Sequence, residues 1–322
     1  MPSFSSTAIV PTFNREKYLP ETLRALQSQQ LPFTEIIVID DGSDDDTEEL
    51  VKREFPAIRY AKTPNRGVQH ARNLGVQLAG SEWVTFCDSD DLLEKDYTST
   101  INYLIKRRPE IDLVYVNFRF LNNGNTGQDT YSKLPDGFFS GAVEEHGFLR
   151  NIPEILPKIM FNQFLWPTGM SVRKEAFNLI GGYDSNFRHI ASEDLEFTLR
   201  AVSQLNFVFS ISALSSIRKH EANESANPIR QLRGEIAILK HYLATHPFAQ
   251  MNEDIVLRSI ANRRNALIVL TFEKGDFPSV QNQAKQLSLS ERSLKSNIKF
   301  LMSLMPRPMR NGVWALIIKM RH

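Results

Sequence analysis

The chain has 322 residues, 42% of them apolar, and its 38 Lys and Arg nearly balance 37 Asp and Glu. Length and composition suit an α/β domain of about 220 residues with a smaller attachment. A single cysteine, Cys87, excludes an internal disulfide and has neither metal-ligand nor redox spacing, which favours a reduced, cytoplasmic compartment. The N-terminal residues lack a signal-peptide pattern, and no window approaches the ~20 apolar residues that span a bilayer.

Ala8-Ile-Val-Pro-Thr-Phe-Asn14 reads as a strand, followed by a helical pattern with Tyr18, Leu19, Leu23 and Leu26 on one side. Glu35-Ile-Ile-Val-Ile-Asp-Asp-Gly-Ser43 reads as a second strand, and its unbroken apolar run implies cover on both faces, as in a parallel sheet. A helix then buries Leu74 and Leu78, leaving Arg72 either on the surface or directed at a ligand. Trp83-Val-Thr-Phe-Cys-Asp-Ser-Asp-Asp91 is a third strand that delivers Asp88, Asp90 and Asp91 to one point. Carboxylates so close raise one another's pKa unless a cation or a set of donors compensates. A divalent metal with oxygen ligands would serve; a solvated acidic turn is the plainer alternative. In open parallel sheets ligands bind beyond the carboxyl ends of the strands, where Asn14, Asp40, Asp41, Asp88 and Asp90 fall.

Farther on, Tyr97 to Lys106 reads as a helix and Asp112 to Phe120 as a strand entering a turn at residues 122–125. Residues 122–147 read as a hairpin or loop. Leu149 to Phe164 reads as helical around Pro153 and Pro157, Trp166 to Val172 as a strand, and Lys174 to Ile180 as a helix closed by Gly181-Gly182. Glu193 and Asp194 open a helix whose inward stripe is Leu195, Leu199 and Val202, and acids in a first turn are also favoured by the helix dipole. Ser215 to Arg218 is strand-like. From residue 229 four or five helical segments follow, which divides the chain into a domain over 1–228 and a helical region over 229–322. Residues 1–230 carry a net charge of −7 and residues 231–322 of +8. Residues 292–322 hold seven basic residues and no acid, interleaved with Phe300, Leu301, Met305, Trp314, Leu316, Ile317 and Ile318. That pattern fits either peripheral contact with an anionic membrane or a packed helical pair with its lysines in water. No nucleic-acid motif accompanies it, and the acidic remainder opposes phosphate-backbone binding.

Several of these segments together resemble the family 2 glycosyltransferases: Pro11-Thr-Phe-Asn14, Ile39-Asp-Asp-Gly-Ser43, Asn65-Arg-Gly67 with Ala71-Arg-Asn-Leu-Gly75, and Asp88-Ser-Asp-Asp91. Gly169 to Phe177, Gly181-Gly-Tyr-Asp184, Glu193-Asp-Leu-Glu196 and Arg218-Lys-His220 with Ser225 extend the similarity over roughly residues 5–226. The resemblance implies a GT-A fold, a mostly parallel sheet flanked by helices, and inverting transfer of a sugar from a nucleotide diphosphate to a glycan or lipid-linked hydroxyl. It implies Mn²⁺ or Mg²⁺ held by Asp90, Asp88 and His220. It also implies a donor site formed by Pro11, Thr12, Phe13, Asn14, Asp41, Asn65, Gly67, Arg72, Asp88, Ser89 and Asp90. By the same resemblance Asp41 accepts the imide N–H of uracil or thymine, which favours UDP or dTDP. Asp40 reads as a cap of the following loop, and Asp91 either orients metal-bound water or caps a helix.

Inverting transfer needs a carboxylate to take the proton of the attacking hydroxyl. The resemblance gives that role to Asp194, with Glu193 binding sugar hydroxyls, and puts Trp166, Gly169 and Arg218 on the acceptor side. An aromatic such as Trp166 on a strand is more often part of a core. A sugar-nucleotide pyrophosphorylase would need a Gly-rich basic loop after the first strand, and Pro11 to Glu16 contains no glycine. A non-catalytic nucleotide-sugar-binding protein would be expected to have lost Asp90, Asp194 or His220; all are present.

Overall fold

A computed structural model describes residues 5–162, 164–188, 190–220, 227–306 and 308–310. Ser225 and the apolar residues Trp314, Leu316, Ile317 and Ile318 lie outside them. The chain divides into two compact units, Met1–His189 with Glu193–Asn223, and Ile190–Ser192 with Glu224–His322.

The first unit begins as strand and helix in alternation: β1 (Ser6–Thr12), α1 (Leu19–Gln27), β2 (Glu35–Asp40), α2 (Thr47–Glu54), β3 (Arg59–Lys62), α3 (Val68–Leu78) and β4 (Trp83–Phe86). β1 lies between β2 and β4, parallel to both, and every residue of β1 and β4 is buried. That double cover explains their lack of polar alternation. Leu19, Leu23 and Leu26 on α1 are all buried in the core beside Ala8, Val10 and Val38. α3 approaches β1 so closely that a Cβ on Gly75 would stand 2.3 Å from Ile9 Cγ2.

The second half of the unit adds β5 (Leu92–Leu93), α4 (Tyr97–Arg107), β6 (Leu113–Asn122), β7 (Asn125–Asp129), β8 (Val143–Glu145), β9 (Phe148–Arg150), α5 (Ile155–Phe161), β10 (Met170–Arg173), α6 (Lys174–Leu179), α7 (Glu193–Gln204) and β11 (Phe207–Arg218). The sheet order is β3-β2-β1-β4-β10-β6-β11-β9-β8, with β5 paired to β11 and β7 to β6. β10 runs antiparallel to both β4 and β6, and so joins the parallel half to the mixed half. β11 runs parallel to β6 along nine residue pairs with register shifts between Ser210 and Ser215.

Two expectations need correction here. The helix over 149–164 is confined to Ile155–Phe161: Phe148 and Leu149 pair with β11, Arg150 pairs with β8, and Glu154 takes φ 52° before the helix starts. The strand over 166–172 is confined to Met170–Arg173, because Gly169 takes φ +85° and turns the chain into the sheet. There a Cβ would meet Val116 Cγ2 at 2.5 Å, so both conformation and space require glycine.

The second unit contains α8 (Pro228–Thr245), α9 (Pro247–Met251), α10 (Glu253–Glu273), α11 (Phe277–Lys285) and α12 (Leu294–Leu304). Ala261, Ile268, Phe272, Val280, Ala284, Leu287 and Met302 form its core. α12 is packed through Ser296, Lys299, Met302 and Ser303, while Leu294, Ile298, Leu301 and Leu304 are exposed. No described helix is long and apolar enough to cross a membrane.

Candidate active site

The ends of β1, β2, β4 and β11 and the first turn of α7 supply the polar groups. At the end of β1, Pro11 and Thr12 are buried, whereas the Phe13 ring is 43% exposed. Asn14 turns the chain with φ 51°, a conformation that asparagine tolerates. Its backbone N–H donates to Ser43 Oγ at 2.9 Å and its side-chain oxygen accepts from the Asp44 N–H at 3.0 Å.

The adjacent acids at the end of β2 face different tasks. Asp40 accepts the Ser43 N–H at 2.7 Å and a bond from the Tyr60 hydroxyl, so it does cap the loop. Asp41 accepts the Arg66 and Gly67 N–H groups, each at 2.7 Å, one on each oxygen. Those bonds fix the Asn65-Arg66-Gly67 turn at the start of α3 and leave a lone pair on each oxygen for another donor. The Asn65 carbonyl accepts from Arg188 at 2.5 Å, and Gly67 has φ +93°.

Beyond β4 the three aspartates separate. Asp88 accepts from Arg72 Nη2 at 2.8 Å, with its backbone N–H on Thr168 Oγ1 at 3.0 Å. Asp90 Oδ2 lies 2.9 Å from His220 Nε2 and 3.4 Å from Arg15 Nε. Asp91 is buried, accepts from Thr168 Oγ1 at 2.6 Å and from the Arg218 N–H at 2.9 Å, and its carboxyl is pushed well up by burial and then by Asp90 and Asp88. Ser89 is buried, and its carbonyl accepts from the Thr22 hydroxyl at 3.2 Å. Arg218 braces the turn from β11 by donating from Nε to the Asp90 carbonyl at 2.8 Å and from Nη2 to Glu21 at 2.6 Å. The His220 ring stacks on Tyr18 with centroids 4.5 Å apart.

Arg72 is buried, which overturns the surface reading. On α3 the inward positions are Ala71, Arg72, Gly75 and Val76, with Leu74 and Leu78 only half-buried. Its guanidinium donates to Asp88 at 2.8 Å and to Glu193 at 3.0 Å and lies 5.1 Å from the centre of the Tyr183 ring. One cation therefore ties the end of β4 to the first turn of α7. Next to it, the Asp194 carboxyl is pushed up to about 7 by burial first and by the Glu193 charge second, with Arg72 opposing. In the inward stripe of α7, Leu199 and Val202 are buried as expected, but Phe197 rather than Leu195 completes it.

On the expected acceptor side, Gly169 is a packing and turn position whose carbonyl accepts from Tyr97, and Arg218 is turned to the aspartate cluster. Trp166 is half-buried against Phe118 and Phe120. Four contributors escaped the sequence reading: Arg15, Tyr18, Thr168 and the ring of Tyr183 beneath Arg72. Tyr183 stands in the Gly181-Gly-Tyr-Asp184 segment; Thr168 carries no signal of its own.

Among the described residues no three His, Cys, Asp or Glu side chains gather as a metal cage. Magnesium sites are ordinarily completed by substrate phosphates and water around one or two protein ligands. Asp90 and His220, hydrogen-bonded to each other at 2.9 Å, are the side chains that would hold such an ion. Asp88 is engaged by Arg72 instead.

Residues 7–178 match the family model described as glycosyl transferase family 2, which covers more than half of the chain. The chain belongs to glycosyl transferase family 2. Among curated members it is 33% identical over 133 residues to the minor teichoic acid biosynthesis protein GgaB of Bacillus subtilis, covering 39% of this chain and 15% of that one. It is 39% identical over 106 residues to a GalNAc(5)-diNAcBac-PP-undecaprenol beta-1,3-glucosyltransferase of Campylobacter jejuni, covering 31% and 34%. The chain thus spans about a third or less of the length of these family 2 relatives. The crystal structure of S. aureus TarS 1-349 in complex with UDP-GlcNAc superposes with a TM-score of 0.63 at 20% identity, over 93% of this chain and 89% of that one. This likeness is one of fold and agrees with the expected GT-A architecture.

Proposed function

We propose that this family 2 enzyme transfers a sugar with inversion from a UDP-sugar to a hydroxyl of a glycan or lipid-linked acceptor in surface polysaccharide or glycoconjugate synthesis. The observation that carries the reading is Asp194, a carboxyl raised to about 7 beside the Arg72 bridge. A general base is most effective when its pKa lies near the working pH, so that it is ionised yet still basic. Asp194 would take the proton of the attacking hydroxyl, while Glu193, anchored by Arg72, orients sugar hydroxyls.

On the donor side, the exposed Phe13 ring offers a face for the base, and the spare lone pairs of Asp41 suit the imide N–H of uracil. Asp90 and His220 would hold Mn²⁺ or Mg²⁺. Bound there, the ion would supply positive charge to the diphosphate leaving group. The UDP-GlcNAc bound by TarS supports a uridine donor; the undecaprenol-linked acceptor of the Campylobacter enzyme and the teichoic acid role of GgaB support a surface glycoconjugate.

The test is release of UDP from UDP-glucose, UDP-N-acetylglucosamine and UDP-galactose with Mn²⁺, Mg²⁺ or chelator present. At least one donor should be hydrolysed only with metal, and Asp90→Asn should remove that dependence together with the activity. Hydrolysis at an equal rate in chelator, or an Asp90→Asn protein with normal turnover, would contradict the metal assignment.

A further inference from the structure

Trp166 and Phe120 form a half-buried aromatic corner, their rings 6.3 Å apart and nearly perpendicular, over the fully buried Phe118. Lys219 Nζ lies 4.4 Å from the centre of the Phe120 ring and 5.3 Å from that of Trp166. Lys133 Nζ lies 5.6 Å from the Phe120 ring. Neither ammonium has an ion-pair partner among the described residues, unlike the guanidiniums of Arg15, Arg72, Arg108, Arg173 and Arg218. At the exposed Lys133 cation–π contact gives only about 0.5–1 kcal/mol; Lys219 is half-buried, and burial holds its ammonium below the usual lysine range, with the Asp91 charge opposing.

The corner is joined to the aspartate turn on two sides. Trp166 is two residues before Thr168, which bonds Asp91 and the Asp88 N–H. Lys219 stands between Arg218, which braces the Asp90 carbonyl, and His220, which meets the Asp90 carboxylate. Side chains alternate along an extended segment, so Lys219 projects to the face opposite its two neighbours and onto the aromatic corner. Ligand sites combine apolar walls with a few fixed polar groups. Here the walls suit the faces of a sugar or polyol, and the polar groups are both cationic.

We propose that Trp166, Phe120, Lys219 and Lys133 form an acceptor subsite for a sugar or polyol that carries a phosphate. It deepens, and rests on, the transferase reading given above. The phosphate could belong to a polyol-phosphate chain or to a diphosphate-linked lipid, and the test separates the two.

The full chain, labelled with ¹⁵N and saturated with UDP and Mg²⁺ so that the donor side is filled, is titrated with sn-glycerol 3-phosphate, with glycerol and with geranyl diphosphate. The three indole N–H signals, of Trp83, Trp166 and Trp314, are followed, with Trp166→Phe identifying its own. The Trp166 signal should move saturably with a phosphate-bearing ligand and not with glycerol. A response to glycerol 3-phosphate assigns the polyol phosphate, and one to geranyl diphosphate alone assigns the lipid diphosphate. Lys219→Gln should weaken that binding about tenfold or more, the loss expected for a charged hydrogen bond. Lys219→Arg should keep it within a few-fold, and the exposed Lys133→Gln should weaken it less. An unmoved Trp166 signal, equal response to glycerol, or undiminished binding by a folded Lys219→Gln and Lys133→Gln pair would overturn the proposal. UDP release from UDP-sugar, measured on the same protein preparation before UDP is added, keeps the two readings apart. Hydrolysis without a Trp166 response removes only the subsite; a response without hydrolysis removes only the transferase reading.

Discussion

Replacing Arg72 by methionine tests the bridge between the two halves of the site. The Arg72 side chain is 3% exposed, while its partners Asp88 and Glu193 are 26% and 12% exposed. Removing one member of a buried ion pair costs about 3–5 kcal/mol, and rehydration of the partly exposed Asp88 returns some of it, so a loss of about 2–4 kcal/mol is expected. Arg72 is also the cation that holds the Asp194 pKa down against burial and Glu193. Without it that pKa should rise further. A base works when deprotonated, so UDP release at subsaturating substrate should increase with pH through about 7 in the wild type and through a higher pH in Arg72→Met. Urea unfolding followed by tryptophan fluorescence gives the first quantity, and the pH profile of kcat/KM gives the second. A variant with wild-type stability and an unmoved profile would refute the bridge.

Gly75→Ala should destabilise by about 1–3 kcal/mol through overpacking, because the new methyl meets Ile9 on the central strand at 2.3 Å; an unchanged urea midpoint would show that α3 shifts freely. The basic C-terminal region, proposed as a peripheral membrane contact, is best tested on α12 without truncation, since removing residues 292–322 would also take Met302 from a core. Leu294→Asn with Leu301→Asn changes only exposed positions and should release the protein from anionic vesicles at low salt, with unfolding unchanged. A wild-type protein that does not sediment with such vesicles would leave α12 as a packed helix without a lipid role.

The parallel half of the sheet was legible because β1, β2 and β4 are covered on both faces, and burial writes itself into composition there. β3 was not seen: Arg59-Tyr-Ala-Lys62 is an edge strand with exposed ends and no apolar run. β9 was hidden for another reason, since a three-residue strand depends on its partner β11, about 60 residues away in sequence, rather than on its own propensity. In the site, the aspartates and the first turn of α7 announced themselves through local charge. The burial of Arg72 did not, because helix periodicity ranks side chains by hydrophobicity and the partners that make its burial tolerable lie 16 and 121 residues away. Thr168 was invisible on the same grounds: a hydroxyl acquires its role from what the fold places beside it.

The most direct measurement of the central claim compares Asp194→Asn with wild type for two quantities, UDP affinity by calorimetry and acceptor-dependent turnover. The amide keeps the shape of the side chain and removes the base, so UDP affinity with Mg²⁺ should stay within a few-fold while turnover falls by about 10²–10⁴-fold. Wild-type turnover in this variant, or loss of UDP binding in proportion to the loss of rate, would contradict Asp194 as the base.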